Sequence, residues 1–241
     1  MDLLSTIGLI TKRRGDYFAQ AESLAKKTKS REKLEQKMLE EAKVIVKGFR
    51  DKQFRWDEYE RTLVDKTLTS ALAAVYLGAG SARPKDKMEK SWPTLVGNLI
   101  PPLLQFLTET KTYLDNGALI LGDKTLDFAD SLEDLDLDEI EDQGIENAKT
   151  GRAQGKTWPG LLGRVVRYIA TPVYQYFNLG NFFTKQEQGF SEMRRIARRD
   201  AKVCNDCVSF ANQGWVPIGE LPMPGNECRC YDRCRCSVEY R

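Results

Sequence analysis

The chain's six cysteines all lie between residues 204 and 236. Cys204 and Cys207 form a CxxC pair, and the others follow a spacer: Cys228, Cys230, Cys234 and Cys236. A CxxC turn directs two sulfurs at one point, which is why zinc ribbons and knuckles use it. The spacer, residues 208–227, is rich in Gly and Pro and can fold back on itself. The pattern therefore predicts one sulfur cluster built from both groups.

Three chemical roles fit this spacing, and structural zinc ranks first. Cys204 and Cys207 are the firm ligand pair, and Cys230 with Cys234 would complete a tetrathiolate for about one zinc ion per chain. The spare pair is Cys228 and Cys236. Disulfides with no metal rank second. An even number of cysteines permits them, and a protein that is released from the cell meets oxidising conditions. A redox-active CxxC ranks third, because no βαβ pattern surrounds it.

The chain has 241 residues and no histidine, which removes several classes of chemistry. Ser-His-Asp and Cys-His catalysis need an imidazole, and so do the commonest catalytic zinc sites. Any transition-metal site must therefore rest on sulfur and carboxylate.

Two other motifs fail on inspection. The run from Gly151 to Thr157 resembles a phosphate loop but has three residues, not four, between its glycines. Asp134, Asp136 and Asp138 alternate as in a calcium loop, but the required glycine and glutamate are missing. The sequence therefore predicts a protein that is not an enzyme.

Hydrophobic periodicity predicts a mostly α fold, in which helical blocks precede a small, turn-rich, Cys-rich C-terminal unit. The predicted helices are 16–27, 31–49, 56–77, 92–114 and 185–202. The fourth should bend or break at Pro101 and Pro102. No apolar β-branched runs alternate with helices, so we expect no parallel sheet.

Changes in composition divide the chain into four predicted units. They are an N-terminal helical block (1–82), a second helical block with an acidic segment (92–150), an apolar and basic helical segment (158–203) and the Cys-rich module (204–241). Residues 101–150 carry 13 acidic against 3 basic side chains, most of them within 123–147. A solvated acidic helix is the preferred interpretation of that segment.

The predicted helix over 185–202 is basic on one side through four arginines: Arg194, Arg195, Arg198 and Arg199. Such a face suits contact with nucleic acid or with an acidic partner.

The longest apolar run, residues 94–107, is shorter than a membrane span and contains two prolines. We therefore expect no membrane segment, and we expect the protein to be made in a cytoplasm.

The C-terminal quarter resembles a known family. The resemblance rests on residues 194–200, the CxxC of residues 204–207, Gly214-Trp215-Val216-Pro217, Leu221-Pro222 and the closing Cys234-Arg235-Cys236. It covers about 50 of the 241 residues, and it is to minor head proteins of tailed phages, similar to the F protein of phage Mu. That family typically closes with His-Pro-Asn-Cys-Arg-Cys. Cys230 lies about where the family's histidine would act, and a cysteine there preserves a metal ligand.

The resemblance implies a non-enzymatic structural component of a bacteriophage virion, at or near the portal. Such a minor head, neck or head-to-tail connector protein would contact portal, capsid or neck proteins, and possibly packaged DNA, as a ring-shaped homo-oligomer made in the host cytoplasm. The alternative, from another class, is a zinc-stabilised nucleic-acid-binding regulator that uses the four arginines.

Overall fold

A computed structural model describes residues 3–50, 53, 55–80, 85–115, 165–166, 168–170, 172–198, 203–224, 228–229, 234 and 236–241. Helices account for 74% of the described residues, which confirms the predicted mostly α class. The acidic segment 123–147, the phosphate-loop-like run and the calcium-like run lie outside the described residues.

In chain order, six described helices come first and a small three-stranded sheet follows. A seventh helix lies between the first two strands of that sheet. The helices are α1 (Leu3–Lys12), α2 (Arg14–Thr28), α3 (Arg31–Arg50), α4 (Trp56–Ala79), α5 (Lys85–Asp115), α6 (Pro172–Glu187) and α7 (Asn205–Asn212). The strands are β1 (Glu192–Ile196), β2 (Val216–Pro217) and β3 (Ser237–Tyr240). We call α1–α6 the helical body, and the sheet, α7 and the cysteines between the strands the cysteine module.

Helix α4 is the centre of the helical body, because α2, α3, α5 and α6 all pack against it. Every residue from Thr67 to Val75 is buried, so this stretch is covered on all sides. Small alanine, serine and threonine side chains dominate there, and they let neighbouring helices approach from several directions.

The crossing of α4 and α6 depends on two glycines. A Cβ atom added to Gly78 would overlap the carbonyl oxygen of Phe177, and one added to Gly180 would overlap the carbonyl oxygen of Val75. The two backbones are therefore in direct contact. The Thr184 hydroxyl reinforces the crossing by donating a hydrogen bond to the carbonyl of Ala79, at 2.9 Å.

Helix α5 runs through its prolines. The sequence predicts a bend or break at Pro101 and Pro102, and the helix is not broken there, because it continues over Lys85–Asp115 and also contains Pro93. Ile100 and Leu103 are fully buried on either side of the proline pair, so the apolar face that holds the helix against the body continues across it.

The predicted helix over 185–202 is wrong for most of its length. Helix α6 ends at Glu187, and β1 follows at Glu192–Ile196. The sheet has the order β2-β1-β3, and both pairings are antiparallel. Burial alternates along β1, with Met193 and Arg195 inside, which is the period of a half-buried strand and not of a helix.

Among the described residues, no helix combines the length and the apolar character that crossing a bilayer requires.

Candidate metal centre

The CxxC pair forms the first turn of helix α7. Cys204 is the N-cap residue, and its sulfur accepts a hydrogen bond from the backbone N–H of Cys207 at 3.4 Å. The N-terminus of a helix carries partial positive charge, which favours the thiolate over the thiol. The local fold therefore places both sulfurs at the N-terminus of α7.

The turn at Cys228 is tied directly to this helix. The backbone N–H of Arg229 donates to the Asp206 carboxylate at 2.8 Å. Because Asp206 lies between the two cysteines of the CxxC pair, this bond fixes Cys228 beside Cys204 and Cys207. The middle of the CxxC motif thus supplies the support that positions a third sulfur.

Strand pairing positions the last cysteine, Cys236. Cys236 immediately precedes β3, whose first residue, Ser237, pairs with Ile196 of β1. From the helical body, the Tyr174 hydroxyl of α6 donates to the carbonyl of Cys236 at 2.5 Å. Cys236 is therefore held between the sheet and the body.

These contacts assemble the described cysteines into two groups of three. In one group the sulfurs of Cys204, Cys207 and Cys228 lie within 4.8 Å of one another. In the other, the same limit holds for Cys207, Cys234 and Cys236. Four of the five are buried, and Cys204 is half-buried.

Three of the four predicted ligands can now be placed. Cys204, Cys207 and Cys234 belong to the cluster, and Cys230 lies outside the described residues. The two cysteines that the sequence leaves as spare, Cys228 and Cys236, each belong to one group. The structure therefore brings the predicted ligand Cys234 to Cys207, and it adds Cys228 and Cys236 to the cluster.

The sulfur distances suit a metal better than a cross-link. Tetrahedral zinc with Zn–S bonds of about 2.3 Å places its sulfurs about 3.8 Å apart, whereas a disulfide bond is about 2.0 Å long. Cys207 Sγ lies 3.7 Å from Cys234 Sγ. All five described cysteines are free of disulfides. The arrangement is compatible with a metal site held by thiolates.

A buried arginine lies against the cluster. Arg195 is only 1% exposed, and its Nη2 lies 3.4 Å from Cys207 Sγ and 3.3 Å from Cys234 Sγ. Its Nη1 donates to the carbonyl of Pro222 at 2.8 Å, and its guanidinium lies over the Phe210 ring. A buried guanidinium is costly unless it is paired, so this position calls for negatively charged sulfur.

Protonation at the centre reflects the competition between burial and charge. Burial raises the pKa of the Cys234 thiol, and negative charge at Cys228 and Cys236 raises it further, whereas Arg195 lowers it. Burial alone would lower the pKa of Arg195, but the surrounding sulfurs, Cys234 foremost, raise it instead. Without a metal, Cys234 therefore favours the neutral thiol, and a bound cation would have to displace its proton.

The four arginines do not form a common basic face. Arg195 points into the cluster, while Arg194, on the opposite face of β1, pairs with Glu239 and lies over the Trp215 ring. Arg198 is exposed, and Arg199 lies outside the described residues. Sequence reasoning missed the role of Arg195 because a charged residue is expected at the surface. The alternation of Met193 and Arg195 along a strand was the available signal.

In comparisons with known proteins, the chain matches no family model, no curated protein and no solved structure.

Proposed function

We propose that the cysteine cluster is a structural zinc centre that holds the cysteine module together. The observation that carries this proposal is the pair of three-sulfur groups around Cys207, with the Arg195 guanidinium beside them. The module has few large apolar side chains, and a unit of this size cannot hold together by burial alone. Zinc coordination would supply that stability.

Zinc is favoured over other metals by the chemistry of the donors. Sulfur is the only donor type in either group, and borderline-soft Zn²⁺ takes thiolates in closed structural sites. The cluster is also largely buried, which suits a structural site and leaves little access for a substrate. We therefore propose no catalytic role for it.

We further propose that the protein is a structural component of a bacteriophage virion, at or near the portal. As a minor head, neck or connector protein it would contact portal, capsid or neck proteins, and possibly packaged DNA, within a ring of identical subunits. Support comes from the resemblance over residues 194–236. Among the described residues that carry it, Arg194 to Ile196 lie in β1 and Val216 and Pro217 form β2, and the cluster contains Cys204, Cys207, Cys234 and Cys236.

The competing hypothesis of a nucleic-acid-binding regulator is weaker on these contacts. It relies on four arginines, of which Arg195 is buried against sulfur and Arg194 is paired with Glu239. A regulator needs such groups free for phosphate.

Mass spectrometry of purified particles tests the virion proposal. Phage particles produced from the genome that encodes this chain should contain it after density-gradient purification and a high-salt wash. The control is a non-structural protein of the same genome, which should be absent. Absence of the chain from intact particles, together with tight and steeply salt-dependent binding of the isolated protein to DNA or RNA, would favour the regulator.

A further inference from the structure

Cys207 belongs to both three-sulfur groups. One group adds Cys204 and Cys228, and the other adds Cys234 and Cys236. Cys207 is also buried, at 1% exposed, and it is the residue that the two groups share.

A single tetrahedral ion would leave at least one of the five described sulfurs without a metal. Such an ion needs four sulfurs that are all close to one another, about 3.8 Å apart. Among the described cysteines the two groups share one sulfur and otherwise contain different ones. Each group supplies three of the four donors that a zinc site needs.

We propose that the module binds two metal ions and that the Cys207 thiolate bridges them. This inference rests on the proposed zinc centre and deepens it. One ion binds Cys204, Cys207 and Cys228, and the other binds Cys207, Cys234 and Cys236. Each ion takes its fourth donor from outside these five residues. On binding, each thiol that becomes a ligand releases its proton to solvent, and the metal remains Zn²⁺ throughout.

The charges around the cluster fit two ions. Two Zn²⁺ ions and five thiolates leave one net negative charge, and the Arg195 guanidinium supplies one positive charge in direct contact. One Zn²⁺ ion with four thiolates leaves two negative charges, of which Arg195 offsets only one. Because unbalanced charge is costly in a buried site, the two-ion arrangement is the better compensated of the two when both additional donors are neutral.

The position of Arg195 also fits a bridge. Its Nη2 donates to Cys207 and to one member of the second group, Cys234. A thiolate sulfur has three lone pairs, and a bridge between two cations uses two of them. The third can accept the hydrogen bond from Arg195.

Native mass spectrometry of the full-length, reduced chain tests the number of ions. After titration with Zn²⁺ and removal of excess metal, we expect two zinc ions per chain. One zinc ion per chain would overturn the bridged centre and leave the structural zinc proposal standing. No zinc at any stage would overturn both.

The bridge itself is tested by NMR after replacing zinc with NMR-active cadmium. We expect two cadmium resonances, each split by coupling to the other through the Cys207 sulfur. Two resonances without mutual splitting would show separate sites and overturn the bridge.

Matched alanine variants provide the second test. Cys204→Ala and Cys236→Ala each remove a ligand that belongs to one group, so each should reduce the binding to one tightly held ion. Cys207→Ala should lower the affinity of both ions by at least about tenfold each. If all three variants bound one ion at most and lowered its affinity equally, the proposal would be contradicted. The measurements on the unsubstituted chain stand even if a variant fails to fold.

Discussion

The Nη2 atom of Arg195 lies 3.3 Å from the sulfur of Cys234, and both side chains are buried. This contact links the middle strand of the sheet to a cysteine 39 positions further along the chain. It explains why β1 carries an arginine on its inner face, where an apolar residue would be expected. The hydrogen bonds of Arg195 hold Cys207 and Cys234 against the sheet, and in the proposed zinc centre the guanidinium would offset part of the thiolate charge.

Replacing Arg195 should weaken metal binding. Hydrogen bonds to charged groups contribute about 1.5–3 kcal/mol, so Arg195→Met should lower zinc affinity by roughly ten- to a hundredfold. The measurement is competition with a chromophoric chelator. Arg194→Met is the matched control, since its side chain lies on the other face and pairs with Glu239. If Arg194→Met weakened zinc binding as much as Arg195→Met, the assigned role of Arg195 would be wrong.

Loss of the CxxC cysteines should unfold the module and spare the helical body. Cys207→Ser should have the larger effect, because Cys207 belongs to both three-sulfur groups and Cys204 to one. Hydrogen exchange should show lost protection in β1, α7 and β3, while helical circular dichroism is nearly unchanged. Retained protection in the module of either variant would remove the structural role of these sulfurs.

Much of the fold can be predicted from the sequence, because apolar residues at helical spacing mark the buried face of each helix. The predicted helices 31–49 and 56–77 correspond to α3 and α4 within about two residues, which is the usual uncertainty of helix ends. Helix α1 is not among the predicted helices. The strands escaped prediction because β2 has two residues and β1 is dominated by charged ones.

The candidate site was predictable in part. Spacing identifies a sulfur cluster around Cys204 and Cys207, but it cannot determine which later cysteines approach them. That choice depends on long-range contacts, such as the bond from Arg229 to Asp206 and the pairing of β1 with β3. No sequence pattern of helical period could have placed Arg195 beside the sulfurs.

Adding a methyl group at the crossing of α4 and α6 should destabilise the helical body. Gly180→Ala would place a Cβ against the Val75 carbonyl, and overpacking of this kind typically costs about 1–3 kcal/mol. Gly97→Ala in α5 meets nothing within 4 Å and is the matched control. Because Gly97 lies in a helix interior, Gly97→Ala should raise the free energy of unfolding by about 0.5–1 kcal/mol. Urea denaturation measures both, and equal midpoints for the two variants would refute the close crossing.

The hydrogen bond from Tyr174 to Cys236 should couple the body to the module. Tyr174→Phe removes it, and a typical net loss is about 1 kcal/mol. We expect faster proteolysis of the module with little change in the body. Tyr168→Phe is the control, because its hydroxyl donates to the Pro102 carbonyl within the body. Faster cleavage of the module in the control but not in Tyr174→Phe would contradict this coupling.

Metal binding should strengthen as pH rises. Burial, followed by charge at Cys228 and Cys236, raises the pKa of the Cys234 thiol, so protons compete with zinc across the neutral range. Each thiol that must lose a proton weakens apparent affinity by up to about tenfold per pH unit below its pKa. The metal-free module has the opposite dependence: its neutral Cys234 contributes stability below the ordinary cysteine pKa, and that contribution is lost at higher pH.

Zinc titrations at several pH values measure this dependence. In Arg195→Met the rise in affinity should move to higher pH, because Arg195 lowers the pKa of Cys234. A zinc affinity that does not change between about pH 6 and pH 8 would show that binding releases no protons and would contradict thiolate ligation.

The central claim, that metal and not cross-linking holds the module, is tested most directly by limited proteolysis combined with metal analysis. The account predicts that the purified chain retains zinc, that a reductant alone leaves the module resistant, and that a strong chelator releases the zinc and makes the module susceptible while the helical body survives. A module that contains no zinc and becomes susceptible in reductant alone would contradict the account and establish disulfides in its place.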